Sequence, residues 1–249
     1  MRRTLLAMLV SAFLSTGLEA QESPAPGGLA WLAQSDMEGP VTVIDLVKFK
    51  PGGEESYDTY DALAEAKLTS LGGEVVFRGS SKSVDGLDSS SWDRLTMRKY
   101  PSAAAVVEMG ASSEYGAAFP HRVEGVETSL VYAFAGATTP RVTAETSADA
   151  VYMLNLLRFK EGDGEAGYAD YGASVIPLLR QRGAGPVLMG NGLTAVISEE
   201  EIDRMILVRY PSPEMFLEMI TSAEYRAIAH KRTDSIELGL LFPFENRDR

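Results

Sequence analysis

The sequence predicts an α+β fold in which two ferredoxin-like βαββαβ units are fused in one chain of 249 residues. A run of residues occurs twice: 93–102 reads Asp-Arg-Leu-Thr-Met-Arg-Lys-Tyr-Pro-Ser, and 203–212 reads Asp-Arg-Met-Ile-Leu-Val-Arg-Tyr-Pro-Ser. The offset is 110 residues (203 − 93), and it recurs between Ser113-Glu114-Tyr115 and Ala223-Glu224-Tyr225. Solenoid repeats have periods of about 20–50 residues, so this spacing indicates a duplicated domain.

Length and composition permit two small domains and exclude several classes of function. A content of 45% hydrophobic and 23% charged residues is ordinary for a globular protein. The formal charge of −12 argues against a nucleic-acid partner, because phosphate binding needs a basic face. The chain has no cysteine, so disulfides, thiolate metal sites and a cysteine nucleophile are excluded.

The first twenty residues have the pattern of a secretory signal peptide. Arg2 and Arg3 form a positive n-region, and the apolar stretch 5–14 is too short to anchor the chain across a bilayer. Leu18-Glu19-Ala20 offers a cleavage site. We therefore expect a signal peptide at 1–20, a periplasmic or secreted protein, and no membrane association after cleavage. An uncleaved anchor is the alternative.

The elements of the first unit, 41–136, follow from hydrophobic periodicity and turn residues. A Pro-, Gly- and Ser-rich N-terminal arm at 21–40 precedes them. β-Branched residues predict a strand at 41–50, and an apolar face of helical period predicts a helix at 54–71 that ends at Gly72-Gly73. The remaining elements are strands at 74–82 and 92–100, a helix from Ser102 to Val123 with a break near Gly110, and a strand at 126–135.

The second unit, 151–246, repeats this order after a polar linker at 137–150. Its predicted elements are strands at 151–160, 186–197, 202–210 and 236–244, and helices at 165–182 and 212–233. Both units are therefore β-α-β-β-α-β. A four-stranded sheet with helices on one face must bury its other face, and two fused units can do so against each other. We expect an intramolecular version of the dimeric α/β barrel, either a monomeric pseudo-dimer or a homodimer of it.

Several motifs resemble those of the DUF1330 family, which belongs to the dimeric α/β-barrel superfamily. In the first unit they are Tyr57-x-x-Tyr60, Gly72-Gly73, Phe77-Arg78-Gly79, Trp92-Asp93-Arg94-Leu95, Tyr100-Pro101-Ser102 and Ser113-Glu114-Tyr115. In the second they are Tyr168-x-x-Tyr171, Gly190, Asp203-Arg204, Tyr210-Pro211-Ser212 and Glu224-Tyr225. The second unit departs at Met189, where the pattern has arginine, and at Gly183-Ala184, where it has paired glycines.

The resemblance implies the fold but no settled activity. The wider superfamily implies small-molecule chemistry in the space between sheet and helices. Its members include cofactor-free monooxygenases, isomerases, lactone-forming enzymes and some haem enzymes.

The first and third strands of the first unit carry polar candidates for a site. Alternation puts Asp45 among apolar neighbours on one strand face and Arg94 on one face of the third strand. These strands are adjacent in a ferredoxin-like sheet, so Asp45 and Arg94 could pair, and a buried carboxylate needs a partner. Either the pair is structural, or Arg94 with Arg78 clamps an anionic or carbonyl-bearing ligand through its guanidinium fork.

The second unit has lost most of these charges. Asp45, Arg78, Arg94 and Arg98 correspond to Asn155, Met189, Arg204 and Val208. A polar ligand would therefore favour the first unit, whereas a hydrophobic ligand would suit the more apolar second unit, beside Asn155 and Arg204.

Other polar residues have ordinary structural interpretations beside the functional ones. The tyrosines of the first helix of each unit either pack in the core or line a pocket as hydrogen-bond donors; they are Tyr57, Tyr60, Tyr168 and Tyr171. Glu114 and Glu224 fit the start of a helix better than acid–base chemistry. The only histidines, His121 and His230, are out of register by one position and too few for a metal site. We predict no metal and no cofactor.

Two functions stay open on the sequence alone. The first is a periplasmic protein that binds a small carboxylate- or carbonyl-bearing molecule between sheet and helices, with or without a cofactor-independent reaction. The second is a non-catalytic binding or assembly module in which the duplication supplies a stable pseudo-dimer. Whether the protein is an enzyme is not decided by the sequence.

Overall fold

The structure, a computed structural model, describes residues 28–136 and 148–247. The predicted signal peptide at 1–20 lies outside these described residues. So do the beginning of the N-terminal arm and most of the linker at 137–150.

The first unit follows a short N-terminal helix and has the predicted order of elements. They are α1 (Gly28–Gln34), β1 (Val41–Phe49), α2 (Glu54–Ser70), β2 (Glu74–Ser81), β3 (Arg94–Tyr100), α3 (Ala103–Ala111), α4 (Ser113–Gly125) and β4 (Val126–Ala135). The second unit repeats this order with β5 (Val151–Phe159), α5 (Gly164–Gln181), β6 (Gly185–Ile197), β7 (Arg204–Tyr210), α6 (Pro213–Thr221), α7 (Ala223–Ser235) and β8 (Ile236–Asn246).

The second helical stretch of each unit is two helices joined at a serine. In the first unit the break lies at Ser112, two residues after the predicted Gly110. The continuous helix predicted at 212–233 is wrong, because Ser222 adopts an extended conformation (ψ 154°). The Oγ atoms of Ser112 and Ser222 accept the amides of Tyr115 and Tyr225 at 3.2 and 3.1 Å. Each serine thus caps a new helix, with a glutamate in its first turn as expected.

The eight strands close into one antiparallel barrel, which confirms the predicted fold class. The strand order around it is β1-β3-β2-β8-β5-β7-β6-β4. The two units meet where β4 pairs with β6 and where β2 pairs with β8 over Gly79–Ser81. Closure gives the edge strands of each sheet a partner.

Side chains alternate between the barrel interior and the helix-facing side of the strands. Ile44 and Leu46 of β1 belong to the apolar interior of the barrel. Val41 and Val47 lie on the opposite face of β1 and pack against the helices of the first unit. A third cluster lies between sheet and helices of the second unit. The helix-facing side is therefore where each unit has space for a site.

The N-terminal helix α1 packs against α3 and β6 with Leu32 buried. Across the described residues, no helix combines the length and the apolar character needed to span a membrane.

Candidate functional site

Asp45 lies on the helix-facing side of β1, on the same face as Val41 and Val47. In the antiparallel register of β1 and β3, Asp45 is opposite Thr96, and Val47 is opposite Arg94. Its carboxylate is therefore placed toward α2 and α4 rather than toward the barrel interior.

The partner of Asp45 is Arg122 of α4, so the predicted Asp45–Arg94 pair is wrong. Nη1 and Nη2 of Arg122 donate to the two carboxylate oxygens of Asp45 at 2.6 and 3.0 Å. The Tyr57 hydroxyl donates to the same carboxylate at 3.1 Å, and Arg98 Nη1 lies 3.7 Å from it. The long side chain of Arg94 instead leaves the sheet toward the first turn of α2.

A second aspartate completes a buried ion cluster, defined as Asp45, Asp61, Arg98 and Arg122. Arg98 is bonded to Asp61 of α2, and all four residues are at most 5% exposed. Burial raises the pKa of Asp61, but the guanidinium groups of Arg98 and Arg78 outweigh burial and lower the pKa overall. Two carboxylates and two guanidiniums balance, so the ion cluster is neutral.

The repeated Asp-Arg motif is structural in the first unit. Asp93 accepts the amide of Phe49 at 2.8 Å, which fixes the end of β1 to the start of β3. Arg94 lies over the Phe49 ring, 5.4 Å from its centroid, and its guanidinium bonds Glu54 and Asp58 of α2 at 2.7 and 3.0 Å. The motif therefore joins the end of β1, the start of β3 and the start of α2.

The same arrangement recurs in the second unit. Asp203 accepts the amide of Phe159 at 2.6 Å, and Arg204 lies over the Phe159 ring at 5.5 Å. Arg204 Nη2 bonds Glu165 in the first turn of α5 at 2.6 Å. Each unit has a cavity between its sheet and its helices. Arg94 does not line the cavity of the first unit, and Arg204 does not line that of the second.

The first of these cavities has a volume of about 90 Å³ and a charged wall. Its polar lining residues are Asp45, Tyr60, Arg98, Tyr100, Tyr115 and Arg122. The Tyr60 hydroxyl donates to that of Tyr115 at 3.4 Å. Burial raises the pKa of Tyr100 to about 12 and also raises that of Tyr115, so both phenols are neutral at physiological pH. Leu29 of α1 covers part of this cavity.

The second cavity, here called the second-unit pocket, has a volume of about 110 Å³ and a largely apolar wall. Its deep apolar residues include Met153, Val208, Phe216, Met219 and Leu241. Its polar lining residues are Asn155, Tyr168, Tyr171, Tyr210, Tyr225 and Arg232. Of the sequence-predicted candidates, Asn155, Tyr168 and Tyr171 are thus brought together here, whereas Asp45 and Tyr60 lie in the first unit.

The phenols of the second-unit pocket are hydrogen-bond donors at neutral pH. The hydroxyls of Tyr171 and Tyr225 lie 3.4 Å apart, and burial raises the pKa of both. Burial also raises the pKa of Tyr168, against the opposing charge and hydrogen bond of Arg232. The described lining contains no Asp, Glu, His or Lys. Apart from its phenols, which stay protonated at neutral pH, this wall offers no side chain that commonly acts as a general base.

The two units differ at the positions of the ion cluster. Arg122 is retained as Arg232, whereas Asp45 and Arg98 are replaced by Asn155 and Val208. Aligning Tyr57-x-x-Tyr60 with Tyr168-x-x-Tyr171 places Gly172 at the position of Asp61. Both aspartates of the cluster are therefore missing from the equivalent positions of the second unit.

A family model described as a domain of unknown function, DUF1330, matches residues 46–135 and 151–242. The chain belongs to the DUF1330 family. The two matches confirm the resemblance and the tandem duplication of the DUF1330 unit.

Solved structures share the fold of this tandem DUF1330 protein. A proposed monooxygenase from Fusobacterium nucleatum is 11% identical, with 84% of this chain and 93% of that chain covered and a TM-score of 0.56. An anthrone oxidase-like protein is 12% identical, with coverage of 85% and 92% and a TM-score of 0.57. A protein of unknown function from Rhodopseudomonas palustris is 28% identical over 50% of this chain and 100% of its own, with a TM-score of 0.41. No curated protein matches.

Sequence reasoning on the DUF1330 units missed three residues of the ion cluster and of the second-unit pocket. Asp61, Arg122 and Arg232 were not among the predicted site residues. A signal was present for two of them, because Arg122 and Arg232 recur at the same 110-residue offset as the Asp-Arg motif. Asp61 had no such signal, because glycine replaces it in the second unit.

Proposed function

We propose that the second-unit pocket binds a small organic molecule that carries one carboxylate or carbonyl group. The observation that carries the proposal is the divergence of the two units. In the first unit, three residues of the neutral ion cluster line the helix–sheet cavity, whereas the cavity at the same place in the second unit has a largely apolar wall. An apolar pocket with a few convergent polar groups is the usual form of a small-molecule site.

The volume of the pocket limits the ligand to about one ring. An apolar cavity of about 150 Å³ in another protein binds benzene. At about 110 Å³, the second-unit pocket suits a single six-membered ring or a short branched chain, with slight movement of its wall. Methionine side chains such as Met153, Met189 and Met219 adapt well to such movement.

Arg232 and the phenols supply the recognition of the polar group. Arg232 is 2% exposed, and it is the charged residue of the described lining. A guanidinium binds a carboxylate through a planar fork, and the neutral phenols of Tyr171 and Tyr225 can donate to a carboxylate or carbonyl oxygen. The wall therefore complements a single anionic or strongly accepting group on an otherwise apolar molecule.

Binding without acid–base catalysis is the activity that this wall supports best. The pKa values of its phenols are raised, and the described lining holds no carboxylate or imidazole. Two solved structures that cover most of this chain are named as a proposed monooxygenase and an anthrone oxidase-like protein, and these names agree with an organic ligand. On the signal-like pattern of residues 1–20, we propose that binding takes place in the periplasm or outside the cell.

An assembly module is the alternative, and it accounts for only part of the molecule. The pairing of β4 with β6 and of β2 with β8 is sufficient to explain why two units are fused. It does not explain why the second unit lacks most of the charged residues that line the cavity of the first unit.

Calorimetric titration with benzoate and with its neutral analogue benzamide tests the proposal on the full chain. We expect benzoate to bind the wild type with 1:1 stoichiometry. Arg232→Met should weaken benzoate binding by about 10- to 100-fold, the usual contribution of a charge-assisted hydrogen bond, and benzamide binding by much less.

Arg226→Met is the matched control, because it removes the same charge from an exposed position of the same helix. It should leave both affinities unchanged. Absence of benzoate and benzamide binding at millimolar concentration would contradict the proposal, as would equal losses in the two arginine variants.

A further inference from the structure

We infer that ligands enter the second-unit pocket through a portal between α5 and β6, formed by Gly172, Ile176 and Met189. The inference rests on the proposed function and adds the route and the residues that control passage. It follows from a comparison of the same place in the two units.

In the first unit this place is closed by a latch, defined as Arg78, Asp61 and Glu65. Arg78 projects from β2 toward α2, where its Nε bonds Asp61 and its Nη2 bonds Glu65, each at 2.7 Å. Burial of the Arg78 side chain lowers the pKa of its guanidinium, but the two carboxylates outweigh burial and raise the pKa. The latch thus joins helix and strand by two charge-assisted hydrogen bonds.

In the second unit each latch residue has an uncharged counterpart. Met189 replaces Arg78, Gly172 replaces Asp61 and Ile176 replaces Glu65. All three counterparts line the second-unit pocket, and Met189 is 43% exposed. The pocket wall therefore continues to the molecular surface at this place.

The sheet residues beneath the latch also differ in exposure between the two units. Asp45 and Thr96 of the first unit are 3% and 0% exposed. Their counterparts Asn155 and Ile206 are only half-buried, and both line the second-unit pocket. Loss of the latch coincides with exposure of the sheet below it.

Gly172 contributes open space to the portal. A Cβ atom added at this position would have no atom within 4 Å. Glycine is less favourable than alanine in a helix interior, so helix stability does not explain its presence here. Its small size keeps the gap between α5 and β6 open.

Transplanting the latch tests the portal. The variant carries Gly172→Asp, Ile176→Glu and Met189→Arg, and exchange of xenon and of benzoate is measured by NMR on the full chain. We expect the exchange rate of both probes to fall at least tenfold. Gly116→Leu is the control, because an added Cβ at Gly116 of α4 also has no atom within 4 Å and Gly116 does not line the second-unit pocket, so it should change neither rate.

Two further measurements keep the outcomes distinct. Gly172→Leu fills the gap with a helix-favouring residue and should slow exchange even if the triple variant is unstable. Wild-type exchange rates in a folded triple variant and in Gly172→Leu would overturn the portal. Xenon needs no contact with Arg232, so slowed xenon exchange without benzoate binding would retain the portal and reject the proposed function.

Discussion

The different cavity walls of the two units can be traced to a few single residues. Asp45 and Asp61 hold Arg122 and Arg98 in a buried, neutral arrangement. Such a cluster is costly to disturb, because removal of one partner leaves another charge buried without compensation. We therefore regard the ion cluster as the structural counterpart of the second-unit pocket rather than as a catalytic site.

Replacement of Asp61 tests this structural role. The pKa of Asp61 is lowered in the folded protein, so its ionised form stabilises the fold above the unfolded pKa of about 4, and that stabilisation is lost as the pH falls through the folded value. Asp61→Asn should lower the free energy of unfolding by about 3 kcal/mol at pH 7. It should also flatten the decline of stability between about pH 5 and pH 2.

Urea unfolding at a series of pH values measures both effects. Asp85→Asn is a suitable control, because Asp85 is exposed in the turn region that follows β2. If the free energy of unfolding of Asp61→Asn declines between about pH 5 and pH 2 with the same slope as that of the wild type, the ion cluster does not stabilise the fold.

At single positions, the sequence predicted faces better than partners. Alternation correctly grouped Asp45 with Val41 and Val47 on one face of β1, and the topology correctly made β3 its neighbour. The partner was wrong because Arg122 comes from α4, and strand alternation carries no information on how a helix is rotated above a sheet. Long arginine side chains can also reach past the residue opposite them, as Arg94 does toward Glu54.

The repeated Asp-Arg motif acts at the scale of elements. In each unit the aspartate fixes the end of the first strand through a backbone amide, and the arginine contacts the same phenylalanine and the first turn of the next helix. These contacts explain why this pair recurs while its neighbours diverge. The contacts of the motif thus support the fold.

Asp203→Ala separates these two roles. Loss of the charge-assisted hydrogen bond to the Phe159 amide should lower the free energy of unfolding by about 1–3 kcal/mol. Benzoate affinity should be unchanged, because Asp203 does not line the second-unit pocket. Chemical denaturation and calorimetry on the same sample check both values. A loss of affinity with unchanged stability would assign the motif to the binding site.

The sequence predicted most elements of both units, because strand composition and terminal glycines are local signals. It missed the interruption at Ser222 because residues 214–233 contain no glycine or proline, whereas Gly110 predicted a break in the first unit. The cap at Ser222 is visible only in the hydrogen bond between its side chain and the Tyr225 amide.

At the scale of the whole molecule, fusion allows two copies of one unit to diverge. A symmetric dimer of identical chains would carry the same residues in both of its sites. Here the closed barrel joins a unit whose helix–sheet cavity has a charged wall to a unit whose cavity has a largely apolar wall. The 110-residue repeat predicted this architecture. It did not predict the volumes of the two cavities, because these volumes depend on how α2 and α5 meet the strands below them.

Methyl NMR of the methionines during a benzoate titration tests the central claim most directly. Met153, Met189 and Met219 line the second-unit pocket, and Met109 lines the cavity of the first unit. We predict saturable ring-current shifts of the first three methyl signals, with a common dissociation constant, while the Met109 signal stays in place. A saturable shift of Met109 with the other three unchanged would contradict the account.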